Sequence, residues 1–540
     1  MTFALLFEAK SIQSFLFGSG RMRDAIAASE LVESLTGGLL DAALNALDLP
    51  ASMEADDDAG AKVWFSRRAG GAFHAFLSDA DDRDRLLALW TLMVQQRAPG
   101  LAFAVGTGDG ATMLEAFRGA REAMQADAAR LRPDMPLASP LATRSRRTGL
   151  AAVRINNDDE PVDATVNALR PFRDASRQGL VERVSPPEGE IGWRHWPLNM
   201  EAGEERSFPF LGRERTVALV HADGNGLGQL LARAADRVAA EPDRFLEVFR
   251  SISTGIARAT ETAVQTAVRE TLVPARQEGM LPARPILVGG DDLTMIVRAD
   301  LAVPFTRAFV RAFEQESAPV MAQLAELGLN ALPDKLTIGA GLVYLRASQP
   351  FYLASSLVSD LTDRAKRDIK RIDPDQPPSG LSLLRVTSAL GGDASELIER
   401  ELTTESDANG ASIRYRSTLG TYLLDDRGNH GPRLADLESL VDLLGRDDMA
   451  RGPARQLLGL VARSPIDARR RYDRWRQVMR AENDNAHDDF MKTMHRLMPG
   501  FDPDTELPFI EAADGMQVSP LGDAETLLAA GRVMGWEARQ

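Results

Sequence analysis

The chain has 540 residues, 44% apolar and 26% charged, with a formal net charge of −15, six histidines and no cysteine. That length allows two to four domains, and the acidic balance argues against wholesale wrapping of nucleic acid while leaving room for a local basic channel. The missing cysteines exclude disulfides, thiolate zinc sites, iron–sulfur clusters and cysteine nucleophiles; no histidine pair has zincin spacing, no secretory leader is recognisable and no apolar run can span a bilayer, so a cytoplasmic protein without a membrane partner is expected.

Residues 3–15, "FALLFEAKSIQSF", open the chain, and a helix is expected at 22–36. The stretch "VWFSRRAGGAFHAFLSDAD", 63–81, places Gly70 and Gly71 in the middle of a β-rich run, as a hairpin would. A helix near 83–97, a strand at 101–106 and a helix near 112–130 complete the unit. Residues 136–211 form a connector rich in Pro, Arg and Glu, with "RSRRTG" and "SPPEGE".

"TVALVHADGNGLGQLL", 216–231, predicts a buried strand ending at Asp223, a glycine turn and a helix. Backbone N–H groups of Gly224, Asn225 and Gly226 at that helix start suit phosphate, and a strand-end carboxylate beside them suits Mg²⁺. The fragment is not a calcium loop, because "DGNGLGQLLARA" lacks an acid at the twelfth position. Helical patterns run from 228 to 271. Then "ILVGGDDLTMIV", 286–297, sets Gly289, Gly290, Asp291 and Asp292 between two apolar strands. Glycine and aspartate are common turn residues, so G-D has a purely local explanation; adjacent carboxylates at a sheet edge equally suit a divalent cation. A helix at 303–327, the strand "KLTIGAGLVYL" and the helix "YLASSLVSDLTDRAKRDIKR" follow. The order β-α-β-β-α-β-α predicts a ferredoxin-like palm in which Asp223, Asp291 and Asp292 converge. Lys366, on the last helix, is either a solvated lysine or a cation within reach of a triphosphate.

Residues 391–540 read as a helical C-terminal domain. In it "DARRRYDRWRQVMR", 467–480, mixes arginines and aromatics, which suits a solvated helix face better than RNA, and the dipeptide His487–Asp488 reads as surface.

The first unit repeats the second. Residues 3–15 align with 217–229, Gly70–Gly71 with Gly289–Gly290, Ala72 and Phe73 with Asp291 and Asp292, and Ala9 with Asp223. The expected fold is therefore α+β: two tandem ferredoxin-like palms, each an antiparallel sheet with helices, plus the helical C-terminal domain. The boundaries are 1–135 for a first palm without metal ligands, 136–211 for the connector, 212–390 for the second palm and 391–540 for the remainder. Gly71 is expected to lie close to a ligand or to the facing palm.

With "SIQSFLFGSGRMRDAIAASELVESLTGG", "HADGNGLG", "VGGDDLTMIV" and "GAGLVYLRASQPFYLASSLVSDLTDRAK" on the page, the chain resembles the large polymerase-cyclase subunit of type III CRISPR effector complexes and its free-standing bacterial relatives. The resemblance covers roughly 1–130 and 212–390. It implies a second palm that binds ATP with two divalent ions, Mg²⁺ or Mn²⁺, and makes cyclic oligoadenylate messengers for antiviral defence. Asp223, Asp291 and Asp292 would be the catalytic metal ligands. Gly289 and Gly290 would admit the nucleotide, and Lys366 would neutralise triphosphate charge. An RNA or protein activator and assembly as a dimer or a larger complex go with that reading. The family's histidine–aspartate nuclease domain and zinc ribbon are not expected, since a palm already starts at residue 1 and cysteine is absent. Two other readings use the same fold: a GGDEF-type cyclic dinucleotide synthase, whose motif carries Glu after the aspartate, and a silent palm scaffold in a ribonucleoprotein.

Overall fold

A computed structural model describes all residues except 54–59, 130–138, 157–158, 174–178, 188–190, 201–202, 204–205, 212–214, 388–391, 409–410, 425–430, 447–451, 503–506 and 536–540. The boundaries expected at 135/136 and 390/391 lie outside the described residues, as does the expected start of the second palm at 212 and the end of "SPPEGE". Among the described residues no helix is long and apolar enough to cross a membrane.

The first unit runs β1 (Thr2–Lys10), α1 (Ile12–Phe17), α2 (Met22–Thr36), α3 (Gly38–Ala46), β2 (Ala51–Ser52), β3 (Val63–Ala69), β4 (Ala72–Leu77), α4 (Ala80–Arg97), β5 (Ala102–Gly110) and α5 (Met113–Ala128). Its sheet has the order β2-β3-β4-β1-β5. Polar side chains fix two of its helix starts: Asp79 accepts from the N–H groups of Asp81 and Asp82 ahead of α4, and Thr112 accepts from the N–H of Glu115 ahead of α5.

The connector carries β6 (Ala152–Ile155), β7 (Pro161–Asp163), α6 (Ala164–Ala168) and α7 (Gly179–Val184). It is packed rather than free. Leu180, Val181, Val184 and Trp196 are buried. Arg147 bridges Asp24 of α2 and Glu160, and Arg183 donates to Val288 O at 2.8 Å.

The second unit runs β8 (Thr216–Gly224), α8 (Leu227–Ala240), α9 (Phe245–Ala267), β9 (Ala283–Gly289), β10 (Asp292–Arg298), α10 (Ala302–Glu326), β11 (Ile338–Arg346), α11 (Phe351–Ile372) and β12 (Gly380–Arg385). Its sheet has the order β15-β12-β11-β8-β10-β9, where β15 is Thr421–Leu423. Four strands of each sheet, β3-β4-β1-β5 and β9-β10-β8-β11, share one topology, the first strand lying between the hairpin and the last strand. These are the two expected palms.

Beyond them lie α12 (Ala394–Leu402), β13 (Thr403–Ala408), β14 (Ala411–Arg416), α13 (Leu434–Gly445), α14 (Gly452–Val461), α15 (Pro465–Glu482), α16 (Asp484–Leu497), β16 (Ile510–Glu511), β17 (Gln517–Val518) and α17 (Leu521–Gly535). The helices are joined by a small sheet, β13-β14-β17-β16, that the helical expectation omitted, and β15 extends the palm sheet. In α15, Tyr472 and Trp475 are buried with Met479. Its aromatics therefore form core, as the solvated-face reading requires, and are not available to stack on RNA bases. His487 corrects a second expectation: its ring is 2% exposed, while Asp484 and Asp488, on the same face of α16, lie outside. The i, i+3 spacing from Phe490 back to His487 turns the histidine toward the interior.

Period-2 patterning in the strands sends alternate side chains to opposite faces. Ala4 and Leu6 of β1 join one apolar cluster with Ala218, Val220 and Phe245; Leu5 and Phe7 join another with Val217, Leu219 and Ile296. Each cluster draws on both palms. Two cross-palm bonds mirror one another: Ser29 of α2 donates to Ile286 O of β9, and Arg250 of α9 donates to Phe65 O of β3. Ile286 is the bulge residue of its hairpin, and Phe65 is the paired residue next to the bulge of its own, which is at Ser66.

Candidate active site

β8 pairs antiparallel with β10, Ala222 facing Leu293. One step further along, the same register brings Asp223 beside Asp292. Gly289 and Asp292 close the hairpin, with Gly290 at φ 62° and Asp291 as its two-residue turn. Positive φ is the conformation glycine adopts without a Cβ penalty. Thr260 of α9 fixes the turn by donating to Gly290 O at 2.7 Å. As a result Asp223, Asp291 and Asp292, all half-buried, offer carboxylate oxygens within 4.8 Å of one another.

Burial first, and then the Asp223 charge, push the carboxyls of Asp291 and Asp292 well above the ordinary aspartate range. Three hard oxygen donors whose charges repel form a set that a divalent cation fits, since bound positive charge removes the repulsion. Lys366 Nζ bonds the Asp223 carboxylate and donates to Gly224 O at 2.9 Å. Below the site, His221 is buried against Thr294 Oγ1 at 2.9 Å, and burial lowers its pKa, so it serves as a neutral structural group.

Beside the carboxylates opens a cavity of about 410 Å³, lined by Gly224, Asn225, Gly226, Lys335, Lys366 and Lys370 among others. Four of these six were expected at a nucleotide site. Asn225 has a different task from the one expected of it: its N–H donates inward to Thr337 O at 2.8 Å and its Nδ2 to Thr337 Oγ1 at 3.0 Å. It shapes the turn and does not present that N–H to a ligand. Lys335 and Lys370 were missed because neither lies in a motif; only their positions in the fold bring them to the cavity.

Residues 216–372 match the family model for the second palm domain of Cas10/Cmr2. This palm is of the Cas10/Cmr2 type. The match begins at the first residue of β8 and ends at the last residue of α11. Among solved structures, a Csm1–Csm4 cassette in complex with cA3 is similar at a TM-score of 0.48 and 12% identity, over 98% of this chain and 69% of that chain. A Csm1–Csm4 cassette in complex with one ATP is similar at 0.47 and 14%, over 98% and 70%. Csm1 of T. onnurineus is similar at 0.47 and 14%, over 98% and 69%. No curated protein matches the chain.

Register against the Cas10/Cmr2-type palm corrects the alignment of the first palm. In the second hairpin Asp292, Leu293 and Thr294 face Gly289, Val288 and Leu287, a bulge follows, and Met295 faces Pro285. In the first, Ala72, Phe73 and His74 face Ala69, Arg68 and Arg67, a bulge follows, and Ala75 faces Phe65. The equivalents of Asp291 and Asp292 are therefore Gly71 and Ala72, one residue earlier than the sequence alignment places them. Glu8, paired with Ala72, takes the place of Asp223, and Ala9 does not. The first palm keeps one of three acids, engaged by Lys10 at 2.6 Å.

The same shift moves the close approach between palms. A Cβ on Gly71 would meet Ile12, Ala9 and Val32 of its own palm, not a facing one. The contact is Gly70 against Gly289: a Cβ on Gly289 would lie 3.1 Å from Gly70 Cα. The turn of the first hairpin thus touches the end of β9, beside the carboxylates. Gly289→Val is expected to force the turns apart and to lower any reaction joining two nucleotides by about tenfold or more, while a single nucleotide still binds. Yield and nucleotide affinity measured on one preparation check this; an unchanged yield would show that the contact is dispensable.

Proposed function

We propose that the protein is a metal-dependent nucleotidyltransferase that joins and cyclises nucleotides, with ATP as substrate and a cyclic oligonucleotide messenger as product, in a CRISPR-like antiviral role in the cytoplasm. The observation that carries this reading is the convergence of Asp223, Asp291 and Asp292 beside Lys366 and a lysine-lined cavity. The three aspartates would hold two Mg²⁺ or Mn²⁺ ions. Bound there, the ions supply activation of a 3′-hydroxyl and neutralisation of the departing pyrophosphate. The chain's own residues do the rest. Lys366 and Lys370 attract the phosphate chain into the cavity. Gly290 keeps the turn free of a side chain, so a nucleotide can approach the hairpin backbone. The contact between Gly70 and Gly289 sets the distance between palms, and the cleft between them is where two nucleotides would meet. An RNA or protein activator and a larger assembly belong to the same proposal.

The test is incubation of the pure protein with each of the four ribonucleoside triphosphates and Mg²⁺ or Mn²⁺, with and without added RNA, and mass spectrometry of the products. Cyclic oligonucleotides with release of pyrophosphate are expected, and no nucleotide consumption under any of these conditions would overturn the proposal. Asp223→Asn should lower turnover by roughly a hundredfold or more, because an amide is a poor ligand for a hard cation and Lys366 loses its anionic partner. Unchanged cation and nucleotide affinity in a titration of that variant would remove Asp223 from the ligand set.

A further inference from the structure

Lys335 lies in the segment between α10 and β11, and its side chain is about one third exposed, at 33%, toward the cavity that Lys366 and Lys370 also line. Its Nζ is bonded to Oε2 of Glu314, a carboxylate on α10 that is only 10% exposed. The other oxygen, Oε1, accepts from Ser379 Oγ at 2.5 Å, and Ser379 Oγ in turn accepts from the N–H of Ile338 at 3.0 Å. One buried carboxylate is thus committed on one side to the sheet edge and on the other to a lysine at the cavity wall. The segment does not need that ion pair to stay in place. Leu336 N–H donates to Ser317 Oγ at 3.0 Å, and Thr337 Oγ1 donates to Pro377 O at 2.8 Å. A lysine that lines this cavity, and whose segment is already anchored by its neighbours, can turn its remaining N–H donors to a ligand.

We propose that Lys335 contacts the phosphate chain of a nucleoside triphosphate in this cavity, and that Glu314 is its positioning residue. The assignment rests on the function proposed above. A lysine has three N–H donors; Glu314 takes one and fixes the direction of the other two. Fixing a flexible ammonium beforehand reduces what binding must order, and its contact with phosphate is charge-assisted.

The experiment is a calorimetric titration of wild type, Lys335→Ala, Glu314→Gln and Ser317→Ala with ATP and with AMP, each in the presence of Mg²⁺. Lys335→Ala should weaken ATP about tenfold and leave AMP unchanged, the loss of one charge-assisted bond to the distal phosphates. Glu314→Gln should weaken ATP severalfold and spare AMP, since glutamine still accepts from Ser379 but no longer attracts the lysine. Ser317→Ala, which removes an anchor of the segment, should lower the melting temperature and leave ATP affinity in place. Equal ATP affinity in wild type and Lys335→Ala would overturn this assignment and leave the proposed function standing. Wild type that binds no ATP would overturn both. Unchanged ATP binding by Glu314→Gln alongside weakened binding by Lys335→Ala would remove Glu314 from its positioning role. Should Glu314→Gln fail to fold by circular dichroism, the partly exposed Lys335→Ala still decides the phosphate contact.

Discussion

Replacing Asp291 and Asp292 together by alanine is expected to cut nucleotide turnover by roughly a thousandfold or more, with the fold retained. The two carboxylates lie with Asp223 inside a 4.8 Å group, half-buried. Two unit charges 4 Å apart repel by about 4 kcal/mol at an effective dielectric of 20. Burial and the Asp223 charge accordingly hold both carboxyls well above their usual range, so these side chains burden the cation-free protein. Their removal should leave the melting temperature in the absence of divalent cation unchanged or raised. Wild type should gain melting temperature with Mg²⁺, as any protein does that binds a ligand only when folded, and the double variant should not. Wild-type turnover in the variant would end the assignment of these residues. A large fall in its cation-free melting temperature would show instead that they hold the hairpin together.

Arg250→Ala should be the most damaging substitution away from the site. Arg250 is buried on α9 of the second palm; its Nε donates to Phe65 O at 2.8 Å and its Nη2 to Ser52 O at 3.2 Å, both in the first palm. Alanine would take the guanidinium from those carbonyls in a buried interface, at a cost of about 3 kcal/mol. Arg250→Lys should recover part of this, since lysine carries the charge without the planar fork that reaches two acceptors. Urea unfolding curves of the three proteins measure it. A loss below about 1 kcal/mol would mean that other contacts hold the palms together.

The palms were legible because their strands and helices carry strong periodicities and because glycine pairs marked both hairpins. The three aspartates were legible because a strand end and a turn are places where a carboxylate has little to pack against. What misled was register. Aligning glycine with glycine put Gly71 opposite Gly290, yet turns are equated by their pairing and bulges, and those put Gly71 opposite Asp291. A slip of one residue changes the face of every side chain, which hid Glu8 as the counterpart of Asp223. His487 was misjudged because one polar residue in a polar helix says little about which face it takes. Lys335 left no local signal at all; its place depends on how α10 and β11 pack. The connector's polar composition concealed Trp196 and α7, whose few apolar residues are enough to seat it against both palms.

The two apolar clusters have a consequence for how the polypeptide is made. Phe76 and Phe117 of the first palm rest against Phe245, with ring centroids 5.2 and 5.4 Å away. Synthesis delivers the first two rings long before the third. Until α9 leaves the ribosome, the nascent first palm lacks the ring that closes over Phe76 and Phe117, and Phe65 O of β3 and Ser52 O of β2 have not yet met Arg250. Such a half-chain is a target for chaperones and a seed for aggregation. The same surface is bared in a chain cut within the connector, so the first palm completes its packing only against the second.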